Sequence, residues 1–533
     1  MAVEGTAVTE GQHPKGAESG VMDKGLKKGA IGYISNVVIG VASTAPAYSL
    51  ATTLGAVVAV VGVTNHAPAV LLVAFIPMFL ISLAYKYLNR ADPDAGTTFA
   101  WTTRALGPGM GWMNGWAIFL ADLVVMVSLS QIAATYTFKL FGWSWAESHH
   151  YMTIVAAVIW IALMTWICYR GIELSAKLQT ALLGVEVAIL GIFAIVAFAK
   201  VAGGVGVAHA MVENEETGKT VLHTYHSINP SLDWLNPFAM KFGDLFVALL
   251  VGFFIYWGWD SGVAVNEESE NPAEGPGKAA VVSTVLLLVI YVIVSGAAQS
   301  FHGTQYLIDN KEDVLNALGN GVLGGTLNKL LIITVLTSAS ASTQTTILPT
   351  ARTTLSMAHW KAVTAALARV HKRFLTPTVS TLGFGALSIA LTIFVLELSS
   401  NVLESTIVAV GFPICFYYGF TGVACAVYYR RELKESARKF VLLGLLPLLG
   451  GLGMFAVFYK AAEYYGHKEN GGKEYAGITL PLWIGIGGLL LGLVAMLASR
   501  PLFREFFKRK LETAPPGLLD APAPTAIPAP VDF

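Results

Sequence analysis

Residues 40–50, "GVASTAPAYSL", interrupt an apolar run that is otherwise long enough to cross a bilayer. Proline removes a backbone donor and blocks a helical hydrogen bond, so Pro46, preceded by the small or hydroxylated residues Ala42, Ser43, Thr44 and Ala45, predicts a broken helix. Hydrocarbon cannot satisfy the freed backbone groups, so the break must be buried in protein or face a water-filled cavity. A proline kink packed on a neighbour would account for one such case. A second case, "FFIYWGWDSG" at 253–262, sets Gly258 between two tryptophans and the carboxylate of Asp260 inside another spanning-length run. An acid at that depth is costly, and such groups mark functional sites. Matched interruptions in corresponding halves of a membrane chain point to a central binding site.

The rest of the chain fits this reading. Of 533 residues, 55% are hydrophobic and 13% charged, against roughly 25% charged in ordinary soluble domains. An apolar core about 30 Å thick asks for about 20 residues per helical span. Runs of that kind lie at Ile34 to Val63, Ala67 to Leu88, Met110 to Phe138, Tyr151 to Tyr169 and Leu174 to Ala199. A second series covers Phe238 to Val265, Ala279 to Ser300, Leu323 to Leu348, Pro377 to Leu396 and Val402 to Tyr429, with two more at Phe440 to Tyr459 and Ile478 to Ser499. The expectation is an all-α integral membrane protein of about twelve spans, broken in helices 1 and 6.

Basic residues are retained on the cytoplasmic face. With both termini inside, that face holds 25 of the 34 Lys and Arg. The expected divisions are a cytoplasmic tail at 1–30, five spans at 31–200, an extracellular loop at 201–237, five spans at 238–429, two further spans at 430–510 and a Pro/Ala-rich cytoplasmic tail at 511–533. The loops 201–237 and 301–321 are polar enough to form partly ordered caps. The first thirty residues contain no apolar core segment, so no cleavable signal peptide is expected.

Several function classes recede. The 34 acidic residues balance the 34 basic ones, which argues against a nucleic-acid partner. Cys168, Cys415 and Cys425 sit in apolar runs without paired spacing, so neither a disulfide framework nor a zinc site is indicated. His149 and His150 are a loop pair with no third ligand. "NPAEGPGKAA" fails as a phosphate loop, because Pro272 and Ala279 stand where glycine and a hydroxyl are needed. No cofactor, no metal and no enzymatic activity are expected.

"YWGWDSGVAVNEESENP", ending at Asn271-Pro272, resembles the sixth-helix pattern of the amino acid-polyamine-organocation superfamily of secondary transporters. "PDAGTTFAWTTRALGPGMGWMNGW", from Pro93 to Trp116, is similar to that family's connection between helices 2 and 3, and Arg352 is expected just past helix 8. The resemblance covers roughly Ile31 to Ser499. It implies a LeuT-type five-plus-five inverted repeat with two added helices, alternating access in the plasma membrane, and amino acids or related amines as substrates. Two departures stand out. Ala42-Ser43-Thr44 replaces a common Gly-Ser-Gly, and Glu186 falls where many sodium-independent members carry lysine.

By motif position the resemblance brings Ser43 and Thr44 to a substrate carboxylate, and Gly40, Phe254 and Trp257 to its ammonium and side chain. Broken helices supply free amides at one half-helix end and free carbonyls at the other. Phe254, Tyr256, Trp257 and Trp259 are candidate gate aromatics, two of them expected in the pocket. Asp122, Glu186 and Asp260 are mid-span carboxylates. Burial disfavours an ionised carboxyl, which would let one of them bind and release a coupling proton; Asp122 and Asp260 would alternatively select a cationic amine. In helix 8, Ser338, Ser342 and Thr345 or Thr346 recur on one face. Sodium-coupled carriers of this fold use hydroxyls there, so Ser342 and Thr343 form a possible sodium site. The alternatives to a proton-coupled symporter or exchanger are a sodium-coupled carrier of the same substrates, a potassium or cation carrier, and a nutrient sensor that binds without turnover.

Overall fold

The computed structural model describes residues 23–213, 220–398, 403–471 and 473–514. Expectations for 1–22 and 515–533 lie outside the described residues.

Every one of the twelve apolar runs is a helix. Among the described residues, eleven helical segments are long and apolar enough to cross a membrane. The remaining run is the sixth, split into Phe242–Tyr256 and Ser261–Ala264. The first span is split as well, into Tyr33–Ser43 and Pro46–Ala59. Continuous helices follow at Ala67–Ala91, Pro108–Phe141, His150–Arg170 and Ile172–Ala202, spans two to five. Spans seven to ten are Gly275–His302, Asn328–His359, Thr378–Leu398 and Leu403–Tyr428. Span eleven, Leu446–Tyr465, is led in by a π-helical turn at Phe440–Leu445, and span twelve is Leu480–Ser499. Proline stands within the first two positions of spans two, three, seven and twelve, where its missing donor costs nothing.

Two expected boundaries are corrected. The sixth span begins at Phe242 rather than Phe238, because Asn236 caps a separate 3₁₀ turn at Pro237–Ala239. The eighth begins at Asn328 and runs eleven residues beyond Leu348, through Pro349, so Arg352 lies inside it. The helix continues through Pro349, with Thr354 donating its hydroxyl back to the Thr350 carbonyl at 2.8 Å; neighbouring helices and hydroxyl side chains make proline tolerable in a membrane helix.

Burial separates the spans into an inner and an outer set. The most apolar windows of spans one, three, eight and ten are more than four-fifths buried, whereas that of span twelve is 28% buried. The broken sixth helix belongs to the inner set, since Leu249 to Tyr256 are all buried.

Two loops close one end of the bundle. An antiparallel hairpin, β1 (Ala208–Glu213) with β2 (Thr220–Tyr225), follows span five. Helices Thr304–Asp309 and Val314–Leu323 follow span seven. The Tyr225 hydroxyl donates to Asp309 at 2.6 Å, joining the two. At the opposite end both described tails meet the connection between spans two and three: Lys24 pairs with Asp94, and the Glu512 amide donates to the Arg104 carbonyl. That face is called the tail side below.

Candidate functional site

The two breaks touch. Thr44 keeps helical angles and Ala45 takes a left-handed φ of 47°, so span one turns at an alanine. Gly258 has φ 120°, and a Cβ there would stand 2.8 Å from the carbonyl carbon and oxygen of Ser43. Only glycine supplies both the backbone angle and the close approach. Ser43 and Ser261 hydroxyls lie 2.8 Å apart across the junction.

A small cavity opens at this junction. Ser43, Asp122, Trp257, Asp260, Thr346 and Tyr417 contribute to its walls. Its free volume is about 10 Å³, close to the space of a single water, so this conformation is contracted around the site. Asp122 is buried and Asp260 half-buried. Asp260 accepts from Tyr418 at 2.9 Å and from Tyr85 and Tyr417 at 3.3 Å each. Asp122 accepts from Thr350 of span eight. The Trp257 indole donates to the Tyr417 hydroxyl, which fixes the ring as part of the wall.

Glu186 lies on the other side of the first break. One carboxylate oxygen accepts from the Ala47 amide at 2.7 Å and from the Ser338 hydroxyl at 2.8 Å; Ser338 in turn accepts from the Tyr48 amide at 3.2 Å. The acid therefore sits at the positive end of Pro46–Ala59, a favourable place for an anion. Its second oxygen is buried and has no partner among the described residues.

The amides expected to meet a substrate carboxylate are engaged. Of the expected pair, Ser43 is the last residue of the helix Tyr33–Ser43 and Thr44 donates to Val41 at 3.2 Å; beyond them Ala45 donates to Ala42 at 3.1 Å and Pro46 has no donor. The Thr44 hydroxyl bonds Val41 at 2.7 Å and accepts from Tyr291 at 3.1 Å. Ala42 is buried below this turn.

The remaining candidates are dispersed. Gly40 faces Ser283 and the Trp259 carbonyl, where a Cβ would meet atoms at 2.8 and 3.0 Å; it allows spans one, six and seven to pack. Of the four sixth-helix aromatics, Trp257 lines the cavity. Phe254 lies beside Trp257, with ring centroids 6.4 Å apart, Tyr256 packs edge-on to Tyr291, and Trp259 stacks on Tyr418. Ser342 donates to the Ser43 carbonyl at 2.8 Å, whereas Thr343 bonds back to Ala339 within its helix. Thr346 reaches the cavity; Thr345 bonds Ala341.

Tyr85, Tyr417, Tyr418 and Thr97 are site residues that sequence reasoning missed. Thr97 sits in "DAGTTF" with φ 44° and lines the cavity. The pair Tyr417-Tyr418 within "CFYYGF" offered the one visible signal, two hydroxyls in an inner span.

The acidic stretch after span six forms a plug between the site and the tail side. Arg352 holds Glu268 in a two-pronged pair at 2.6 and 3.0 Å. Glu268 accepts the Ala30 and Ile31 amides on its carbonyl. Lys24, fully buried, pairs with Glu267 and with Asp94 at 3.1 Å, and Asp94 accepts from Ser356 at 2.6 Å and Trp360 at 3.0 Å.

A family described as amino acid permease matches residues 30–470. Among curated relatives, an arginine/ornithine antiporter of Lactococcus lactis subsp. cremoris is 22% identical over 52% of this chain and 53% of its own length. A branched-chain amino acid permease of Bacillus subtilis is 23% identical over 63% of this chain and 68% of that protein. An uncharacterized transporter of Mycobacterium tuberculosis is 26% identical over 72% and 76%. The chain thus spans about half the length of the first of these and about two thirds or more of the others.

Proposed function

Since this chain belongs to the amino acid permease family, we propose that it is a secondary active transporter that moves an amino acid or amine bearing a cationic group, driven by a proton. The observation that carries the reading is the pair Asp122 and Asp260, one buried and one half-buried carboxylate lining one cavity at the meeting point of the two helix breaks. A buried acid is retained where it meets a cationic partner or carries a proton. The printed name of one relative, an arginine/ornithine antiporter, supports a cationic substrate.

In this account Asp260, held by three tyrosine hydroxyls, and Asp122, held by Thr350, receive the ammonium groups. Trp257 forms the wall above them. Glu186 carries the coupling proton on its unpartnered oxygen, and its other oxygen joins spans one, five and eight through Ala47 and Ser338. Protonation there changes the charge at the positive end of the half-helix, and so biases its position between two states. The division into inverted repeats at 31–200 and 238–429, and the cytoplasmic placement of both tails, belong to the same proposal; the Lys and Arg distribution supports the latter.

The test is a stabilisation screen of the purified full chain with amino acids, polyamines and small amines, because specific binding raises apparent stability by mass action. Arginine, ornithine or a polyamine is expected to raise the unfolding temperature while branched-chain amino acids do not. The opposite ranking would refute the cationic assignment.

A further inference from the structure

On the tail side, away from the helix breaks, a cavity of about 490 Å³ lies between the ends of spans two, seven and eleven. Lys86 and Arg90 come from span two, Lys278 from span seven, and Arg438 and Lys439 from the turn before span eleven; Glu274 is the one acid on the wall. Five cations therefore face one carboxylate. Glu274 is shared between Arg90 at 3.1 Å and Lys278 at 2.9 Å, and Lys439 pairs with Glu432 and Glu435 at 3.2 and 2.7 Å. Lys86 and Arg438 have no carboxylate partner among the described residues; the Lys86 ammonium lies 5.4 Å from the Tyr87 ring centre. The group is held in place by tight packing: Gly277 meets the Lys86 backbone where a Cβ would stand 2.8 Å from its Cα, and Asn89 donates to the Pro272 and Ala273 carbonyls at 2.8 and 3.0 Å.

We propose that this cavity binds the phosphate head group of an anionic glycerophospholipid. The charge calls for an anion, and a basic pocket between spans at the face marked cytoplasmic by Lys and Arg is where such head groups are met. The apolar surroundings choose a lipid over a free ion. From Lys278 an exposed apolar strip runs along span seven through Val282, Val285 and Val289, spaced by helical turns on one face. Phe440 and Val441 are exposed on the π-helical turn at the opposite wall. A head group in the cavity would lay its acyl chains along these two surfaces. The bound lipid bridges spans two, seven and eleven, and thereby ties the sixth-to-seventh connection to the outer set of helices.

The test uses the purified full chain in a neutral detergent, with dioleoyl phosphatidylglycerol, dioleoyl phosphatidylcholine or inorganic phosphate added in separate arms. Phosphatidylglycerol is expected to raise the unfolding temperature and to remain bound in native mass spectrometry, and the other two are not. The variant Lys86→Gln/Arg438→Gln should weaken phosphatidylglycerol binding at least tenfold, while Lys86→Arg retains it. Should the double variant be unstable, Lys86→Gln alone is expected to lose at least threefold. Equal stabilisation by phosphatidylcholine, equal stabilisation by phosphate, or unchanged phosphatidylglycerol binding in the glutamine variants would each overturn the proposal.

Discussion

Glu186 is buried at a helix start with one oxygen doubly bonded and the other unpartnered. If that oxygen carries the coupling proton, Glu186→Gln keeps both hydrogen bonds and removes the titration. Substrate exchange between equal concentrations should continue, and accumulation under a pH gradient should stop. Vesicle flux assays separate the two. Asp260→Asn keeps the shape of the side chain but removes the charge and one of the two oxygens that accept from tyrosines, and a hydrogen bond to a charged group contributes about 1.5–3 kcal/mol. A tenfold or greater loss of affinity for a cationic substrate is expected in binding titrations, with neutral amino acids unaffected. Gly258→Ala meets both a φ of 120° and the Ser43 carbonyl at 2.8 Å; strain of this kind costs about 1–3 kcal/mol, readable as a lower unfolding temperature. Pro46, Gly258 and Asp260 were legible because each violates the apolar pattern around it. The left-handed turn at Ala45 was not, because no glycine marks it. Tyr85, Tyr417 and Tyr418 stayed hidden for another reason: tyrosine in an inner span reads as core, and only the folded arrangement brings three hydroxyls from spans two and ten onto one carboxylate.

In the proposed transport cycle the element that closes the site toward the tail side is the plug formed by Asn266 to Ser269, span eight and the tail at Lys24. Removing one partner of a buried ion pair costs about 3–5 kcal/mol, so Arg352→Met should be strongly destabilising in thermal unfolding, and pairing it with Glu268→Leu should recover part of the loss. The plug also titrates. Burial pushes the Glu267 carboxyl up to about 7 against the pull of Lys24, and the charge of Asp94 adds to the rise. Asp94 is held down at about 2 by Lys24 and by bonds from Ser356, Gly96 and Trp360, although burial opposes this. The closed plug thus binds a proton on Glu267 more tightly than an opened one. Its contribution to closure is full below the ordinary glutamate value of about 4.3 and is lost as pH rises through about 7. The Asp94 contribution is present above its ordinary value and fades only toward pH 2. His359, Arg352 and Glu268 also lie around this cluster, and thiol accessibility isolates the Glu267 effect. A cysteine at Ala264 should label faster as pH rises from 5 to 7.5, and Glu267→Gln should flatten that dependence. The plug's motif was visible as "NEESENP", but its partner Arg352 was expected beyond helix 8, because Pro349 and the polar run before it resemble a helix end. The helix instead continues to His359 with the proline inside it.

At the scale of the molecule, span positions follow from the length of apolar runs, since only internally bonded helices tolerate hydrocarbon. The order of the bundle does not follow in that way. Spans one, six, three, eight and ten form its interior because their small and hydroxylated residues permit close backbone approach, as Gly258 and Gly262 do against Ser43 and Asn36. Such pairings are long-range and leave no periodic trace. In the proposed transport cycle the contracted cavity opens by movement of the two broken helices relative to spans three and eight, with Asp122 and Asp260 separating to admit substrate. Flux of a radiolabelled cationic amino acid into proteoliposomes, with the proton and sodium gradients imposed one at a time, tests this account most directly. Accumulation above the external concentration is expected under an inward proton gradient in the wild type and not in Glu186→Gln. Accumulation that requires sodium and ignores pH, or specific binding with no uptake under either gradient, would contradict it.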